Sequence, residues 1–399
     1  MKIGVVTLFK NNYNYGATLQ AFALQSYLKS KGHCVDILDI DTLHYPNFNK
    51  KDELNSFRKS LNRLVNKFKR LSTLEEVYWF FNKFLYKRKY FEWRKVSSEQ
   101  RYEFFDKFIF ENISVSPKYD NENLYLINDD YDFFITGSDQ VWKPQCTCDE
   151  YFLEFASNKM LTMSYAASFG VDTLENDEKL YVKEKLNNIN FISVRESCGM
   201  DILKDLGYEN INHVVDPTLL LKFDFWNNII EEFPLVKEKY VFLYLLSPNL
   251  KLIKKLRKQC NQNGLNLVAI NGLLDNDLST LYYCDQLVDG VGPKEFLNLI
   301  KNSQYVITDS FHGTVFSIVF KKSFWTVSRN SEGKNMNSRM MSLLEDANAS
   351  QRFLANLLDL SLTKDLKAED YINYLSDRIN KSKDFLNFVF DKRLNDKFE

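Results

Sequence analysis

The first forty residues decide the fold of this chain: MKIGVVTLFKNNYNYGATLQAFALQSYLKSKGHCVDILDI. Residues 3–8 form a short apolar run of the length expected for a buried parallel strand. Residues 11–16 are a polar loop, and residues 17–30 carry apolar side chains at helical spacing until Gly32 ends the helix. Residues 35–40 form the next strand. This β-α-β pattern predicts the opening of a Rossmann-like domain.

The same rhythm continues along the rest of the chain. Strands are predicted at 131–136, 161–166, 191–194 and 212–215, and then, in a second cycle, at 240–246, 267–270, 304–308 and 323–327. We therefore predict an α/β protein with two Rossmann-like domains that face each other across a cleft. The predicted limits are 1–220 for the N-terminal domain, 239–365 for the C-terminal domain and 366–399 for a helical tail.

Composition and charge exclude several classes of protein. The 399 residues include 52 basic and 53 acidic side chains, and the formal net charge of -1 argues against a nucleic-acid partner. Hydrophobic residues make up 45% of the chain, against only 13 Gly and 7 Pro, so extensive disorder is excluded. No apolar run is long enough to span a membrane, and the N-terminus is a strand rather than a signal peptide. These features favour a cytoplasmic protein.

Neither a metal nor a dinucleotide cofactor is predicted. The six cysteines are scattered, as in a reduced cytosolic protein. Cys146 and Cys148 have no second cysteine pair at zinc-ligand spacing. The loop at residues 11–16 lacks the G-x-G-x-x-G pattern that binds the pyrophosphate of a dinucleotide.

Residues 50–95 interrupt the α/β rhythm. They contain fourteen Lys or Arg, five Asp or Glu and eleven aromatic residues, so their net charge is +9, and no Gly or Pro breaks them. This composition predicts one or two amphipathic helices within a helical insertion at about residues 50–110. Two interpretations stay open: a helical flap with a solvated basic face, or a peripheral surface that docks on anionic lipid at the inner membrane face.

Polar residues at the carboxyl ends of the strands are the candidate site residues, because ligands of open α/β sheets bind there. The densest group is residues 308–314. Ser310 is placed to cap the following helix, whose first N–H groups, near Gly313 and Thr314, could face an anion. His312 falls in the first turn, where it suits a general acid, a cationic partner of a phosphate, or a histidine that merely caps the helix.

Two arginines are candidates for binding an anionic ligand. Arg195 directly follows a predicted buried strand, where its charge needs an anionic partner. That partner is either a ligand or a protein carboxylate such as Glu196. Arg339 begins a predicted helix after a glycine-containing loop and could reach the cleft.

Five blocks of sequence, in order along the chain, resemble those of the polysaccharide pyruvyl transferase family. They are NYGATLQAFAL at 14–24, GSDQVW at 137–142, VRE at 194–196 with DPT at 216–218, DSFHG at 309–313 with FS at 316–317, and NSR at 337–339 with LL at 343–344. The resemblance implies a two-domain fold like that of inverting glycosyltransferases of the B type. It also implies transfer of a pyruvyl group from phosphoenolpyruvate onto a sugar of a surface polysaccharide or its lipid-linked precursor, usually as a ketal across two hydroxyls. No cofactor or metal is needed for such a transfer.

This activity assigns roles to the candidate residues. His312 would protonate the donor or assist phosphate loss, and Asp139 would accept the proton of a sugar hydroxyl. The donor's carboxylate and phosphate are expected at cations and N–H groups, namely at Arg195, Ser310, Gly313, Thr314 and Arg339. The N-terminal domain is expected to bind the acceptor through Asn14, Tyr15, Gly16, Gln20, Gln140 and Trp142.

One position departs from the family pattern. Many relatives have Arg-Leu before the histidine, where this chain has Ser310-Phe311, so one cation is missing from the expected donor site. Either Arg339 supplies that charge, or the donor differs in this subgroup. Two alternative functions also stay open, because a fold does not determine a reaction: a nucleotide-sugar glycosyltransferase and a non-catalytic carbohydrate-binding protein.

Overall fold

The computed structural model describes residues 1–10, 13–41, 87–120, 122–144, 147–157, 161–247, 249–270, 283–331, 334–335, 337–356, 359–362 and 370–396. Most of the predicted insertion, including residues 50–86, lies outside the described residues, as does Cys146. Within the described ranges no helix is both long and apolar enough to cross a membrane. In the same ranges, no three His, Cys, Asp or Glu side chains are grouped so that they could hold a metal ion.

The first sheet is fully parallel and has the order β3-β2-β1-β4-β5. Its strands are β1 (Lys2–Val6), β2 (Cys34–Ile40), β3 (Val115–Tyr119), β4 (Phe133–Thr136) and β5 (Thr162–Ser164). A parallel pair, β6 (Ile192–Val194) and β7 (Ile211–His213), adjoins β5 through single bridges. Helix α1 (Tyr15–Ser30) connects β1 to β2, as the opening β-α-β pattern predicts.

The second sheet is also parallel and has the order β10-β9-β8-β11-β12-β15. Its strands are β8 (Tyr240–Tyr244), β9 (Asn266–Ile270), β10 (Gln286–Val288), β11 (Tyr305–Thr308), β12 (Ser323–Val327) and β15 (Phe353–Leu354). A short antiparallel pair, β13 (Asn330–Ser331) and β14 (Lys334–Asn335), follows β12. The α/β class with two parallel sheets is therefore confirmed.

The remaining helices flank the two sheets. They are α2 (Lys87–Asn112), α3 (Ile127–Asp130), α4 (Asn176–Lys185), α5 (Ser197–Asp205), α6 (Phe223–Ile229), α7 (Leu250–Asn263), α8 (Pro293–Asn302), α9 (Phe311–Val319), α10 (Ser338–Asp346) and α11 (Tyr371–Asp396). Because helices cover both faces of a parallel sheet, its central strands are buried and mostly apolar. All four residues of β4 are buried in this way.

Four predicted strands end one or more residues earlier than expected, at Val6, Ser164, His213 and Tyr244, and the last two do so for a clear physical reason. The strand predicted at 212–215 ends at His213, and the chain then turns so that Asp216 caps the short helical turn Pro217–Leu219. The strand predicted at 240–246 ends at Tyr244. Beyond it, the backbone N–H groups of Leu246 and Ser247 donate to the Asp309 carboxylate, at 2.6 and 2.8 Å, instead of joining the ladder.

Two helices connect the halves of the molecule. In α2, Phe105 contacts Tyr15 of α1, and Phe104 packs so tightly on Gly292 that a Cβ there would lie 2.6 Å from the Phe104 Cβ. In α11, the Ser382 hydroxyl accepts a hydrogen bond from the Val215 N–H at 2.9 Å, while Arg378 pairs with Asp346 of α10. The two sheets are therefore held together next to the residues proposed from sequence as the site.

Candidate active site in the cleft

The N-termini of α1 and α9 meet at the cleft. Asn14 caps α1, because its side-chain oxygen accepts from the Gly16 and Ala17 N–H groups at 2.9 and 3.2 Å. Ser310 caps α9 by accepting from the Gly313 N–H at 3.3 Å, as predicted. His312, in the first turn of α9, packs directly on Gly16: a Cβ at residue 16 would lie 1.9 Å from the histidine Nδ1. Gly16 is needed because any side chain there would displace His312.

Asp216 connects His312 to the first domain. Its Oδ2 lies 3.4 Å from the His312 Nε2, 2.7 Å from the Arg195 Nη1 and 3.0 Å from the Ser138 Oγ, which donates to it. Its Oδ1 accepts from the N–H and the hydroxyl of Thr218, at 3.0 and 2.6 Å. Burial alone would raise the pKa of Asp216, but His312, Arg195 and Thr218 together hold it well below its usual range. Asp216 is therefore a buried carboxylate that stays charged.

Arg195 is surrounded by three carboxylates. Besides Asp216, Glu196 lies 3.7 Å from its Nε and Asp139 lies 3.7 Å from its Nη2. The ring of Phe311 covers one face of the guanidinium, with the ring centroid 4.2 Å away. Burial opposes the charge of Arg195, but the three carboxylates outweigh that effect and raise its pKa. The anionic partner that the sequence demands for Arg195 is thus supplied by the protein, although its Nε and Nη2 make no hydrogen bond within the described structure.

Arg339 is a different kind of cation. It is buried in α10 and, among the described residues, has no carboxylate within ion-pair distance. Burial, followed by repulsion from Arg195, lowers its pKa to about 10. With the Gln140 amide oriented to satisfy both side chains, its oxygen accepts from both Nη atoms of Arg339 at 2.7 Å. The Nε of Arg339 has no hydrogen-bond partner in the part of the chain that the structure describes. A desolvated guanidinium held only by a neutral amide is well suited to an anionic ligand.

The loops that carry the carboxylates have unusual backbone conformations. Asp139 has a φ of 72°, and Ala166, in the adjacent loop, has a φ of 55°. Such left-handed conformations are strained in residues other than glycine, and they persist where the surrounding structure enforces them. Glu196 ties these loops together, because its Oε1 accepts from the Ser168 hydroxyl and the Phe169 N–H at 2.7 and 3.1 Å. Its Oε2 is buried without a hydrogen-bond partner among the described residues.

Two of the predicted donor residues are packed into the start of α9. The Thr314 hydroxyl donates to the Ser310 carbonyl at 3.0 Å and pairs with Thr326, and Gly313 packs against Thr308. A contact of the donor with the N-terminus of α9 stays a prediction.

The predicted acceptor residues divide in the same way. Trp142 is fully buried, donates to the Tyr151 carbonyl at 3.1 Å and stacks on Phe152. Gln20 is also fully buried and donates to Thr7 and to backbone carbonyls, while Tyr15 donates to the Val291 carbonyl of the second domain at 2.8 Å. The side chains of these three residues are engaged within the protein, and their contact with an acceptor stays a prediction. The predicted acceptor residues with solvent-accessible surface are Asn14 and Gln140, and Asp139 retains a partly exposed carboxylate beside them.

The structure adds two residues to the site that the role assignments from sequence omit. Asp216 follows a strand and precedes a proline, a pattern that reads equally well as an ordinary helix cap, and capping is one of its two functions here. Glu196 adjoins Arg195, but its connection to Ser168 is a long-range contact. No local pattern separates a capping aspartate from one that also contacts a histidine in the other domain.

Solved structures of other proteins share this fold over nearly the whole chain. A putative UDP-N-acetylglucosamine 2-epimerase from Listeria monocytogenes is 10% identical, with 98% of this chain and 97% of that chain covered and a TM-score of 0.55. The S. aureus MnaA–UDP structure is 12% identical, with coverages of 97% and 95% and a TM-score of 0.52. A UDP-N-acetylglucosamine 2-epimerase from Rickettsia bellii is 10% identical, with coverages of 98% and 96% and a TM-score of 0.51. Identities this low show the fold alone.

The two facing Rossmann-like domains, with a cluster of polar residues between them, define a protein of the glycosyltransferase-B-like class. The sequence model of the polysaccharide pyruvyl transferase family matches residues 14–331. The chain therefore belongs to the polysaccharide pyruvyl transferase family and is a transferase that acts on polysaccharides. No curated protein sequence is significantly similar to it.

Proposed function

We propose that this protein transfers a pyruvyl group from phosphoenolpyruvate to two hydroxyls of one sugar, forming a cyclic ketal in a polysaccharide or its lipid-linked precursor. The observation that carries the proposal is the buried guanidinium of Arg339. Among the described residues its Nε has no partner, and its two Nη atoms are held only by the neutral amide of Gln140. Arg339 lies near Arg195, close enough to lower its own pKa by repulsion. An anionic donor at this place would offset the buried charge of Arg339, because the carboxylates nearby already compensate Arg195.

The donor's two anionic groups have distinct positions in this proposal. The phosphate displaces the Gln140 amide from Arg339, because a charge-assisted bidentate contact is stronger than one to a neutral amide. The N-terminus of α9, capped by Ser310, adds a favourable dipole. Arg195 would bind the donor's carboxylate through Nε and Nη2, which make no hydrogen bond among the described residues although Glu196 and Asp139 lie 3.7 Å from them. Arg339 thus takes the place of the cation that the Ser310-Phe311 pair lacks.

The reaction balances without a cofactor. The methylene carbon of phosphoenolpyruvate gains a proton from His312, which makes C2 electrophilic, and the first sugar hydroxyl forms a bond to C2. Asp139 accepts the proton of that hydroxyl and returns it toward His312 for the next cycle. The C2–O bond to phosphate breaks, the second hydroxyl closes the ketal, and its proton leaves on the released phosphate. Positioned acid and base groups typically accelerate such steps by ~10²–10⁴-fold.

Phosphate release tests the proposal directly. The purified protein is incubated with phosphoenolpyruvate, with and without galactose- or mannose-containing acceptors, and inorganic phosphate and the mass of the acceptor are measured. The proposal expects phosphate release that depends on the acceptor and an acceptor heavier by one pyruvyl ketal. Tight binding of UDP together with no phosphate release would instead favour a nucleotide-sugar transferase, in line with the nucleotide in the S. aureus MnaA structure. Binding of sugar without turnover of either donor would favour a carbohydrate-binding protein.

A further inference from the structure

We propose that Asp216 is the positioning residue of His312: it holds the imidazole through Nε2 and leaves Nδ1 as the nitrogen that transfers the proton. The inference deepens the proposed function and rests on it only for the identity of the donor. The contacts that support it are properties of the protein alone.

The Asp216 carboxylate is fixed at both oxygens. Thr218 holds Oδ1 through its N–H and its hydroxyl, at 3.0 and 2.6 Å. Oδ2 accepts hydrogen bonds from the Ser138 hydroxyl and the Arg195 Nη1 and faces the His312 Nε2. Asp216 is 1% exposed, so water does not reach the carboxylate to replace these contacts, and the carboxylate has no room to rotate. A carboxylate held this firmly determines the orientation of the ring that meets it.

The orientation of the ring assigns different roles to its two nitrogens. Nε2 faces the Asp216 Oδ2 at 3.4 Å, and Nδ1 is the ring atom that borders Gly16. An ionised carboxylate only accepts hydrogen bonds, so it keeps a proton on Nε2 in the neutral imidazole. Protonation then occurs at Nδ1, and the same atom gives the proton up. At 3.4 Å the two atoms are within ion-pair distance, but Nε2 makes no hydrogen bond among the described residues. Contacts of catalytic groups are often long before the substrate is bound and tighten in the complex.

Asp216 contacts both Arg195 and His312, and the charges around the three side chains determine how strongly it interacts with each. The charged and titratable groups around the pair are Arg195, Asp139, Glu196, Arg339 from α10 and the hydroxyl of Tyr165. Asp139 and Glu196 each lie 3.7 Å from Arg195 and offset its charge. That compensation leaves the charge of Asp216 available to His312. The presence of three carboxylates around Arg195 thus fits a role of Asp216 in positioning His312.

The contact also crosses between the domains. Asp216 lies after β7 of the first domain, where it caps the turn Pro217–Leu219. His312 lies in α9 of the second domain. His312 consequently has its positioning partner only when the two domains are in contact. Proton transfer by His312 therefore requires that the two domains are in contact.

The test is an NMR measurement of which imidazole nitrogen carries the proton, in the intact protein without donor. The chain has four histidines, and a His312→Gln variant assigns the relevant signal. In Asp216→Asn, whose amide oxygen can still accept from the Thr218 N–H, we expect the neutral imidazole of His312 to lose its preference for a proton on Nε2. Asp309→Asn is the matched control, because the Asp309 oxygens bind the Leu246 and Ser247 N–H groups instead, and it should leave that preference unchanged.

A second variant keeps the test decisive if Asp216→Asn does not fold. Gly16→Ala leaves Asp216 and its cap intact but displaces the ring from its place against Oδ2, so the preference for a proton on Nε2 should be lost here too. Turnover should fall by ~10²-fold or more in both variants, with little change in KM for phosphoenolpyruvate. An unchanged tautomer in the folded variants would overturn the inference. The NMR changes without phosphate release from phosphoenolpyruvate would support the role of Asp216 and refute the donor.

Discussion

Gly16 and His312 are in direct contact across the two domains, and a Cβ on residue 16 would lie only 1.9 Å from the histidine Nδ1. Replacing a helical glycine by alanine normally stabilises a helix by about 1 kcal/mol. Here the clash outweighs that gain, because it displaces the ring from its place against Asp216. We expect Gly16→Ala to lower kcat by ~10²-fold, since small misplacements of a catalytic group have effects of that size. Gly199→Ala in α5, which meets only the Val194 side chain at 3.2 Å, should keep kcat near wild type.

Removing the imidazole tests the proposed acid itself. His312→Ala should lose ~10²-fold or more in turnover, because no other described group donates a proton from this position. Circular dichroism should show a folded protein, since the Ser310 cap of α9 remains. His33→Ala, in which the lost ring packs on Phe390 outside the cleft, should retain activity. Wild-type turnover in His312→Ala would leave His312 with a purely structural role.

The two arginines should respond differently to replacement. Arg339→Met should weaken phosphoenolpyruvate binding by about 1.5–3 kcal/mol in calorimetric titrations, the usual loss for a hydrogen bond to a charged group. Arg195→Met leaves Asp216 without its 2.7 Å partner, and uncompensated buried charges typically cost ~3–5 kcal/mol of stability. Thermal unfolding should therefore change most in Arg195→Met, and donor affinity should change most in Arg339→Met. Unchanged donor affinity in both variants would remove the arginines from the donor site.

The sequence predicts the framework of this site better than its details. The β-α-β pattern of residues 1–40 and the cap at Ser310 are local properties, and both are present in the structure. Whether a side chain is buried, by contrast, depends on segments that are distant in the sequence. Trp142 follows a strand just as Gln140 does, yet the packing of Phe152 encloses its indole. Asp216 likewise looks like a simple cap until the second domain brings His312 to its other oxygen. Contacts between distant segments decided these cases, and one sequence does not contain that information.

Asp216 also predicts how stability depends on pH. Its partners lower its pKa below the value of about 3.9 expected in the unfolded chain. A carboxylate of this kind adds stability that is fully present above the unfolded pKa and is lost as the pH falls below it. Burial raises the pKa of Asp309, so that residue contributes with the opposite sign. In urea titrations from about pH 6 to pH 3, the free energy of unfolding should fall less steeply in Asp216→Asn than in wild type. It should fall more steeply in Asp309→Asn, and identical slopes in all three proteins would contradict the prediction.

The basic segment at residues 50–95 gives the last prediction, which concerns the acceptor. Lipid-linked acceptors lie at a membrane, and no helix of the described residues spans one. With a net charge of +9 and eleven aromatic residues, the segment would let the enzyme bind an anionic surface reversibly. Each Lys or Arg near such a surface contributes about 1 kcal/mol, and salt screens the attraction. The protein should sediment with anionic vesicles at low salt and be released at high salt.

Changing Lys87, Arg88 and Lys89, which begin α2, to Gln should weaken sedimentation without lowering activity on a short soluble acceptor. The matched control removes the same charge elsewhere, by changing Lys251, Lys255 and Lys258 of α7 to Gln, and should leave sedimentation unchanged. Equal weakening in the two triple variants would mean that total charge, rather than this segment, drives the association. Equal recovery in the supernatant with anionic and neutral vesicles would assign the segment a structural role only, because a docking surface of this charge must distinguish the two.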